Sequence, residues 1–377
     1  MSVLGPQLGS KAAKQQLNRS RGAFTSSWRD AWCPSGPSCR VLTRSARRAC
    51  AAPRASAAAP PTAAAGGAEA PRSPRLPASQ SSLPANEDMS STLSLANIRS
   101  SLIRQEDTII FQLIERAQFA RNNPVYVAEG VPVPGYDVSG RRYSLLEYVL
   151  RETEQLHGSV RRYTSPTEHP FFPDEVPRLV LPPISYPPVL APCAPAINFN
   201  DRIMRVYLED ILPAIAEDGD DGNYGSAATL DVLVLQALST RIHYGKFVAE
   251  AKFRARPEAY ASLIRAGDAA GLMALLTDEP QERRVVERVR VKAATFGQDI
   301  ELPAGAAPDG PGGAAALLAR AAASVGGSVD FGPAPRFKVC YDSLADIYDR
   351  IVMPLTKDVQ VEYLLRRLDG EADGGAA

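Results

Sequence analysis

The chain has 377 residues, and its 42 basic and 42 acidic side chains give a formal net charge of zero. No apolar run is long enough to cross a membrane as a helix, so we expect no membrane partner. Three of the five cysteines lie in the first 50 residues, and Cys193 and Cys340 alone are too few for a disulfide framework, which favours a reducing compartment.

The neutral average hides two segments of different composition. Residues 1–85 hold twelve Lys and Arg against two acids, Asp30 and Glu69, with abundant Ala, Ser and Pro. Residues 86–377 hold the other 30 basic and 40 acidic side chains, hence a net charge of −10. An Arg- and Ser-rich, acid-poor leader ahead of a globular body predicts an organelle transit peptide. The alternative, a basic tail that binds nucleic acid, conflicts with the acidic body, so we expect no nucleic-acid partner.

The first predicted helix of the body spans residues 95 to about 120. Its apolar residues recur at close to the helical period, which indicates an amphipathic helix. Arg99 lies in its first turns, while Arg104, Glu106 and Asp107 interrupt the apolar stripe. In an isolated helix these three side chains would form the hydrated face.

The second predicted helix begins with a capping box. Ser144 is followed three residues later by Glu147, and the helical pattern runs to about Tyr163. Its last turn then carries Arg161 and Arg162. Because positive charge is favoured at a helix C-terminus, capping alone would account for this pair.

A proline-rich connector separates this helix from the rest of the body. Residues 165–198 contain ten prolines, too many for a helix or an interior strand, so we expect an extended surface connector. A helix at residues 200–216 then ends in an acidic, glycine-rich loop. That loop resembles a calcium site only superficially, because Asn223 and Thr229 stand where an EF-hand needs glycine and glutamate.

A long helix is predicted from Ser226, as its N-cap, to about Lys252. At about 100° per residue, Arg241, Val248 and Lys252 fall within roughly 20° of one line along this helix. Two cations therefore share a face with an apolar residue. From spacing alone, the pattern indicates a solvated basic stripe.

Shorter helices follow, and nothing in the sequence predicts a sheet. No Val- or Ile-rich alternating run has the length of a strand, so the predicted fold is all-α. Residues 301–335 are rich in Ala, Gly and Pro without a stable period, which is typical of a flexible insertion. The remaining predicted helices span residues 258–266, 268–276, 280–296, 343–352 and 356–368.

Five runs of sequence carry a resemblance to a known family. They are N-I-R-S-S-L-I-R-Q-E-D-T-I-I-F (97–111), P-F-F-P-D (170–174), G-D-D-G-N-Y-G-S (219–226), R-I-H-Y-G-K-F-V-A-E-A-K-F (241–253) and P-L-T-K-D-V-Q-V-E-Y-L-L-R-R-L (354–368). In this order they resemble the all-helical chorismate mutases of fungi and plants. The resemblance implies one multi-helix domain at residues 86–377, a homodimer, and a plastid isoform that works in the stroma.

The resemblance also implies a reaction, the Claisen rearrangement of chorismate to prephenate, that needs no metal and no cofactor. The sequence fits this reaction, because it shows no metal-ligand cluster or phosphate loop, and we interpret His157, His169 and His243 as structural. Catalysis must clamp two carboxylates and stabilise charge on the breaking ether oxygen, tasks suited to arginine forks and fixed N–H donors. By motif match the site residues are Arg99, Arg241 and Thr356 for the carboxylates, Lys252 and Gln360 as donors to the ether oxygen, Glu282 for the ring hydroxyl, and Val248 for packing against the substrate.

Regulation by tryptophan, tyrosine and phenylalanine, bound between subunits of the homodimer, is a further implication. Arginines and a helix N-terminus both suit an effector carboxylate. Gly222 and Cys340 depart from the fungal pattern, which leaves the sign of regulation open, and Asp278 replaces a polar amide and is left out of the site. The alternative is a catalytically inactive helical relative that only binds these amino acids. The matched effector residues are Arg161, Arg162, Asn223, Gly225, Ser226 and Thr229.

Overall fold

The computed structural model describes residues 94–133, 142–184, 186, 188–299 and 336–369. The predicted leader at 1–85 and the predicted insertion at 301–335 lie outside these residues. No helix in the described ranges is long and apolar enough to span a membrane. The α-helices are α1 (Leu95–Arg116), α2 (Leu145–Ser159), α3 (Asn200–Val206), α4 (Leu212–Ile215), α5 (Tyr224–His243), α6 (Gly245–Ala255), α7 (Pro257–Ala266), α8 (Ala269–Leu276), α9 (Glu279–Phe296), α10 (Tyr341–Ile347) and α11 (Met353–Arg366).

The fold is all-α, as predicted. The described strands, β1 (Gln298–Asp299) and β2 (Arg336–Phe337), pair antiparallel over only two residues each and follow α9. The two long helices α1 and α5 pack against each other, α2 packs on α5, and α11 packs on α6 and α8. The main hydrophobic core lies between α1, α2, α5, α9, α10 and α11, and a second core lies beneath α7 and α8.

The first helix, α1, begins as predicted but is shorter, and it turns one acid inward. The Ser94 side chain caps it by accepting from the Asn97 amide at 3.2 Å. Glu106 does not lie on the hydrated face that an isolated helix would give it, because it is only 1% exposed. Since Ile109 and Ile110 lie one turn further along the same face, the helical period itself turns Glu106 toward the core.

The second helix, α2, confirms the capping box but ends earlier than predicted. The Ser144 side chain bonds the Glu147 amide, and the Glu147 carboxylate returns to the Ser144 amide. The helix stops at Ser159, so Arg161 and Arg162 do not lie in its last turn. Arg161 takes a left-handed conformation, with φ of 76°, which breaks the helical repeat, and Arg162 opens a short 3₁₀ turn.

Two π-helical turns precede prolines in the later helices. They span Tyr207–Ile211 between α3 and α4, and Tyr348–Val352 between α10 and α11. Because a proline has no N–H and crowds the carbonyl one turn earlier, the wider turn lets the helix continue into Pro213 and Pro354. The predicted break between the last two helices is therefore absent, and residues 341–366 form one helical run.

The predicted long helix is broken at Tyr244, between α5 and α6. At this break Gly245 lies against α11, where a Cβ atom on Gly245 would come within 2.8 Å of the Thr356 carbonyl oxygen. The predicted N-cap, Ser226, is also wrong, because α5 begins at Tyr224 and Asn223 precedes it. The break sets the direction of α6, and with it the position of the residues α6 carries.

One buried ion pair joins α1, α5 and the first π-turn. Arg116 Nε lies 2.6 Å from Asp231 Oδ1, and both side chains are fully buried. The Tyr207 hydroxyl donates to Asp231 at 2.5 Å, and the Tyr126 hydroxyl donates to it at 2.8 Å. A buried charge pair is tolerated only when its remaining hydrogen-bonding capacity is filled, as it is here.

Candidate active site

A cleft of about 880 Å³ opens between the start of α1, the end of α6 and the turn from α8 into α9. Two of the predicted catalytic residues line it, Arg99 from α1 and Lys252 from α6. Arg99 is exposed, and Lys252 is partly buried. The other lining residues are Leu95, Ala255, Arg256, Ala274, Leu275, Leu276, Thr277, Asp278, Glu279 and Pro280.

The Lys252 ammonium is held on one side of this cleft. Its Nζ donates to the Leu276 carbonyl oxygen at 2.6 Å. Burial lowers the pKa of Lys252, and the carboxylates of Asp278 and Glu282 oppose that shift, while Arg256 and Arg99 reinforce it. The lysine therefore lies among charges of both signs, drawn from several elements.

Three further predicted residues, Arg241, Thr356 and Gln360, meet at the crossing of α5, the α6 start and α11. Each is at most 6% exposed. Arg241 Nη1 donates to Thr356 Oγ1 at 3.3 Å, and Gln360 Nε2 donates to the Thr356 carbonyl at 3.2 Å. Arg241 Nε and Gln360 Oε1 are buried without a hydrogen-bond partner. These atoms offer a donor and an acceptor that the fold itself leaves unused.

Glu282 connects the two groups. Its carboxylate pairs with Lys357 Nζ at 3.1 Å, and Lys357 directly follows Thr356 on α11. The same carboxylate acts on Lys252 in the cleft. Val248, on α6, packs against the small apolar cluster of Ile98 and Ala251. The seven predicted residues thus lie on five helices, α1, α5, α6, α9 and α11, and Glu282 links the cleft to the Arg241 group.

The sequence alone did not reveal a cluster of paired charged side chains beside Arg241. Arg288 binds Glu106 through two hydrogen bonds, of 2.6 and 2.8 Å, and Lys292 Nζ lies 3.3 Å from the same carboxylate. Burial lowers the pKa of Arg241, and Tyr348 and Glu106 oppose that shift. The inward position of Glu106 in the helical period was a usable signal. Nothing in the local sequence pointed to Arg288 or Lys292.

Comparison with known proteins identifies the family. A family model described as chorismate mutase type II matches residues 223–361. The chloroplastic chorismate mutase 1 of Petunia hybrida is 47% identical over 282 residues, which cover 75% of this chain and 78% of that protein. The chain belongs to the chorismate mutase family.

Solved chorismate mutases share its fold. The Candida albicans chorismate mutase in complex with L-Trp aligns with a TM-score of 0.62 and 37% identity, over 74% of this chain and 93% of that one. AtCM1 structures with phenylalanine and with tyrosine bound in the allosteric site each align with a TM-score of 0.60 and 44% identity, over 75% of this chain and 99% of theirs. The predicted family and the all-helical fold are both confirmed.

The residues matched to the effector site of chorismate mutases form two separate groups within the chain. Arg162 bonds Gln236 at 2.9 Å and Glu168 at 3.1 Å, while Arg161 donates to the Pro182 carbonyl at 2.7 Å. Gln236 lies seven residues after Thr229 on α5, a separation of about 10 Å along the helix axis. The second group is exposed around the start of α5 and consists of Asn223, Gly225, Ser226 and Thr229.

The histidines serve contacts within the fold. His157 Nδ1 lies 2.8 Å from Arg162 Nη1. His169 and His243 stack in the interior with their ring centroids 4.1 Å apart. Lys246, which is fully buried, donates to His169 Nε2 at 2.7 Å and to two backbone carbonyls of the proline-rich connector. This cluster fastens the connector to α6 on the side that carries no predicted catalytic residue.

Proposed function

We propose that the chain catalyses the rearrangement of chorismate to prephenate in the cleft between α1, α6 and α9, with the buried Arg241 group as its inner wall. The observation that carries this proposal is the placement of Arg99 and Lys252 on one cleft, which Glu282 links to the Arg241 group through Lys357, together with the buried Arg241 Nε, a donor that has no partner in the fold. An unpaired buried polar atom costs about 1–3 kcal/mol, a cost that a bound polar ligand would remove. Family membership supplies the identity of that ligand.

The proposed division of labour follows the chemistry of each side chain. Arg99 and Arg241 would clamp the two carboxylates and hold the substrate folded, since a guanidinium pairs with a carboxylate in a fixed plane. Lys252 and the second N–H of the Gln360 amide, whose Nε2 also bonds the Thr356 carbonyl, would donate to the ether oxygen as negative charge builds on it. Removal of one such donor typically costs about 100- to 1000-fold in turnover. Thr356 would hold Arg241 in place, through the contact already described.

Regulation by aromatic amino acids is part of the proposal. Relatives of this chain have been solved with Phe, Tyr or Trp bound, the first two in the allosteric site. The two effector groups do not meet within one chain, which is the arrangement expected if Arg161 and Arg162 of one protomer face the α5 start of the other. We therefore propose a homodimer with effector sites between its subunits.

A plastid location is supported by relatives named as chloroplastic, from Petunia hybrida, Arabidopsis thaliana and Zea mays. We propose the finer placement in the stroma, which the acid-poor, transit-peptide-like composition of residues 1–85 supports. We propose that this leader takes no part in catalysis, and that residues 86–377 form the enzyme.

The proposal is tested by prephenate formation on a chain that begins at Asn86, with and without each aromatic amino acid. We expect turnover in the absence of effector and a changed rate with at least one amino acid. Lys252→Ala should reduce turnover to near background at every pH. Folded protein that binds the amino acids but forms no prephenate would favour the inactive regulatory relative.

A further inference from the structure

The cleft proposed to bind a dianionic substrate has a carboxylate, that of Asp278, on its wall. Asp278 lines the cleft beside Lys252 and Arg256, and the next residue, Glu279, is also acidic. The substrate carboxylates would be repelled by this charge. The predicted site excludes Asp278, which replaces a polar amide of the fungal pattern, but Asp278 lines the cleft in the structure.

Helix capping explains an acid at this point of the chain, but not its place in the cleft. The Asp278 side chain accepts from the Gln281 amide at 3.2 Å and so caps α9. Asp268 does the same for α8, accepting from the Gly271 amide at 2.9 Å, and it does not line the cleft. Since asparagine caps a helix about as well as aspartate, the cap does not require the charge.

The Asp278 carboxylate also acts on Lys252, which lines the same cleft. The bond from Lys252 Nζ to the Leu276 carbonyl holds the ammonium over the turn that leads into Asp278. Burial lowers the pKa of Lys252, Arg256 and Arg99 lower it further, and Asp278 is the largest opposing influence, ahead of Glu282. Glu282 already shares its charge with Lys357 at 3.1 Å. Among the described residues, the structure records no ion pair for Asp278.

We propose that Asp278 is a positioning residue for Lys252: its carboxylate, fixed by the cap on α9, lines the same cleft as Lys252 and attracts the ammonium there. The inference rests on the proposed function, because an amine must carry its proton to stabilise a developing negative charge. The Asp278 carboxylate thereby weakens the attraction of the cleft for a dianionic substrate, and it extends turnover to higher pH.

Asp278→Asn tests this inference, because it keeps the cap and removes the charge. The alkaline limb of kcat should move to lower pH by at least about half a unit, since an opposite charge nearby stabilises the charged form. The KM at neutral pH should fall, because a repulsive charge is gone. Asp268→Asn, a matched cap outside the cleft, should leave both quantities unchanged. An unmoved alkaline limb in Asp278→Asn, at unchanged thermal stability, would overturn the inference.

A second measurement does not depend on turnover. Amine acetylation of Lys252, followed by mass spectrometry across a pH series, reports the pH at which the neutral amine appears. In Asp278→Asn this pH should be lower than in the wild type and in Asp268→Asn. Equal labelling profiles would overturn the inference even if the wild type formed no prephenate, whereas an inactive wild type with shifted labelling would overturn only the proposed function.

Discussion

Gln360 determines the expected pH dependence at the scale of single residues. A neutral amide offers an N–H donor at any pH, so Gln360 itself should impose no acid limit on turnover. In Gln360→Glu the new carboxyl could donate only when protonated, and its ionised form would repel the developing charge. We expect an enzyme that works only toward acid, with burial of this site raising the pKa of the introduced carboxyl.

The measurement is a pH–rate profile of wild type and variant. Gln118→Glu is a matched control, because Gln118 Nε2 also donates to the carbonyl four residues earlier, at 2.9 Å, but Gln118 is an exposed residue just after α1. Its profile should follow that of the wild type. A Gln360→Glu profile that matched the wild type would show that Gln360 does not face the ether oxygen.

At the scale of elements, the close contact at Gly245 sets the crossing of α6 and α11. A Cβ in Gly245→Ala would come within 2.8 Å of the Thr356 carbonyl oxygen, a backbone atom that cannot rotate away. We expect a loss of about 1–3 kcal/mol in stability, as in other overpacked sites. Because α6 also carries Lys252, kcat should fall by about tenfold or more through misplacement.

Thermal unfolding and turnover check this prediction. Gly225→Ala is the control for stability, since a Cβ there meets nothing within 4 Å. Replacing a helical glycine should leave stability unchanged or raise it by up to about 1 kcal/mol. If Gly245→Ala were as stable as the wild type, α6 and α11 could move apart without a loss in the free energy of unfolding, and the prediction would be wrong.

Because buried Lys246 holds the proline-rich connector, we expect the free energy of unfolding of the protein to depend on pH. Burial lowers the pKa of Lys246 to about 7 from an ordinary value of 10.5. Below pH 7 the Lys246 side chain is charged in both the folded and the unfolded state. Between about pH 7 and 9 the unfolded chain keeps a proton that the folded state has lost, so stability rises with pH, by at most about 1.4 kcal/mol per unit. His169 and His243, with pKa values lowered by burial to about 2 and about 3, contribute no change in this window.

Lys246→Met should lower stability at pH 7, because three buried acceptors lose their donor. Its deficit against the wild type should grow from pH 7 to 9, as measured by denaturant unfolding at several pH values. Lys338→Met, at a half-buried lysine after β2, should show no such growth. A constant or shrinking deficit would contradict the assigned role.

At the scale of the whole molecule, the separation of catalysis from regulation is the main expectation. Arg161 and Arg162 contact none of the predicted catalytic residues in the described part of the chain. The double variant Arg161→Ala, Arg162→Ala should therefore keep basal turnover and lose the response to aromatic amino acids. Arg265→Ala, at an exposed site on α7, should keep both.

The readouts are turnover with and without effector, and the mass of the assembly in solution. A collapse of basal turnover in a folded dimer of the double variant would mean that the two sites are not separate. A wild type that remained monomeric would contradict effector sites built between subunits. Full indifference of the wild type to all three amino acids would leave the arginines with only their contacts within the fold.

Local signals in the sequence determined much of this protein. The capping box at Ser144 and the period of α1 located helices without any tertiary information, because each depends on neighbours within a few residues. The motif runs identified the family and, by position, the candidate site. The helices at 258–266, 268–276 and 280–296 match α7, α8 and α9 to within a residue or two.

Long-range packing decided the rest. The break at Tyr244 follows from the contact of Gly245 with α11, more than a hundred residues away in sequence, so no local pattern on a favourable helical stretch could reveal it. The helical period turns Glu106 inward, but its partner Arg288 comes from across the fold. Asp278 entered the cleft because the α8–α9 turn faces the end of α6. In each case the sequence supplied the side chain, and only the tertiary structure supplied its partner.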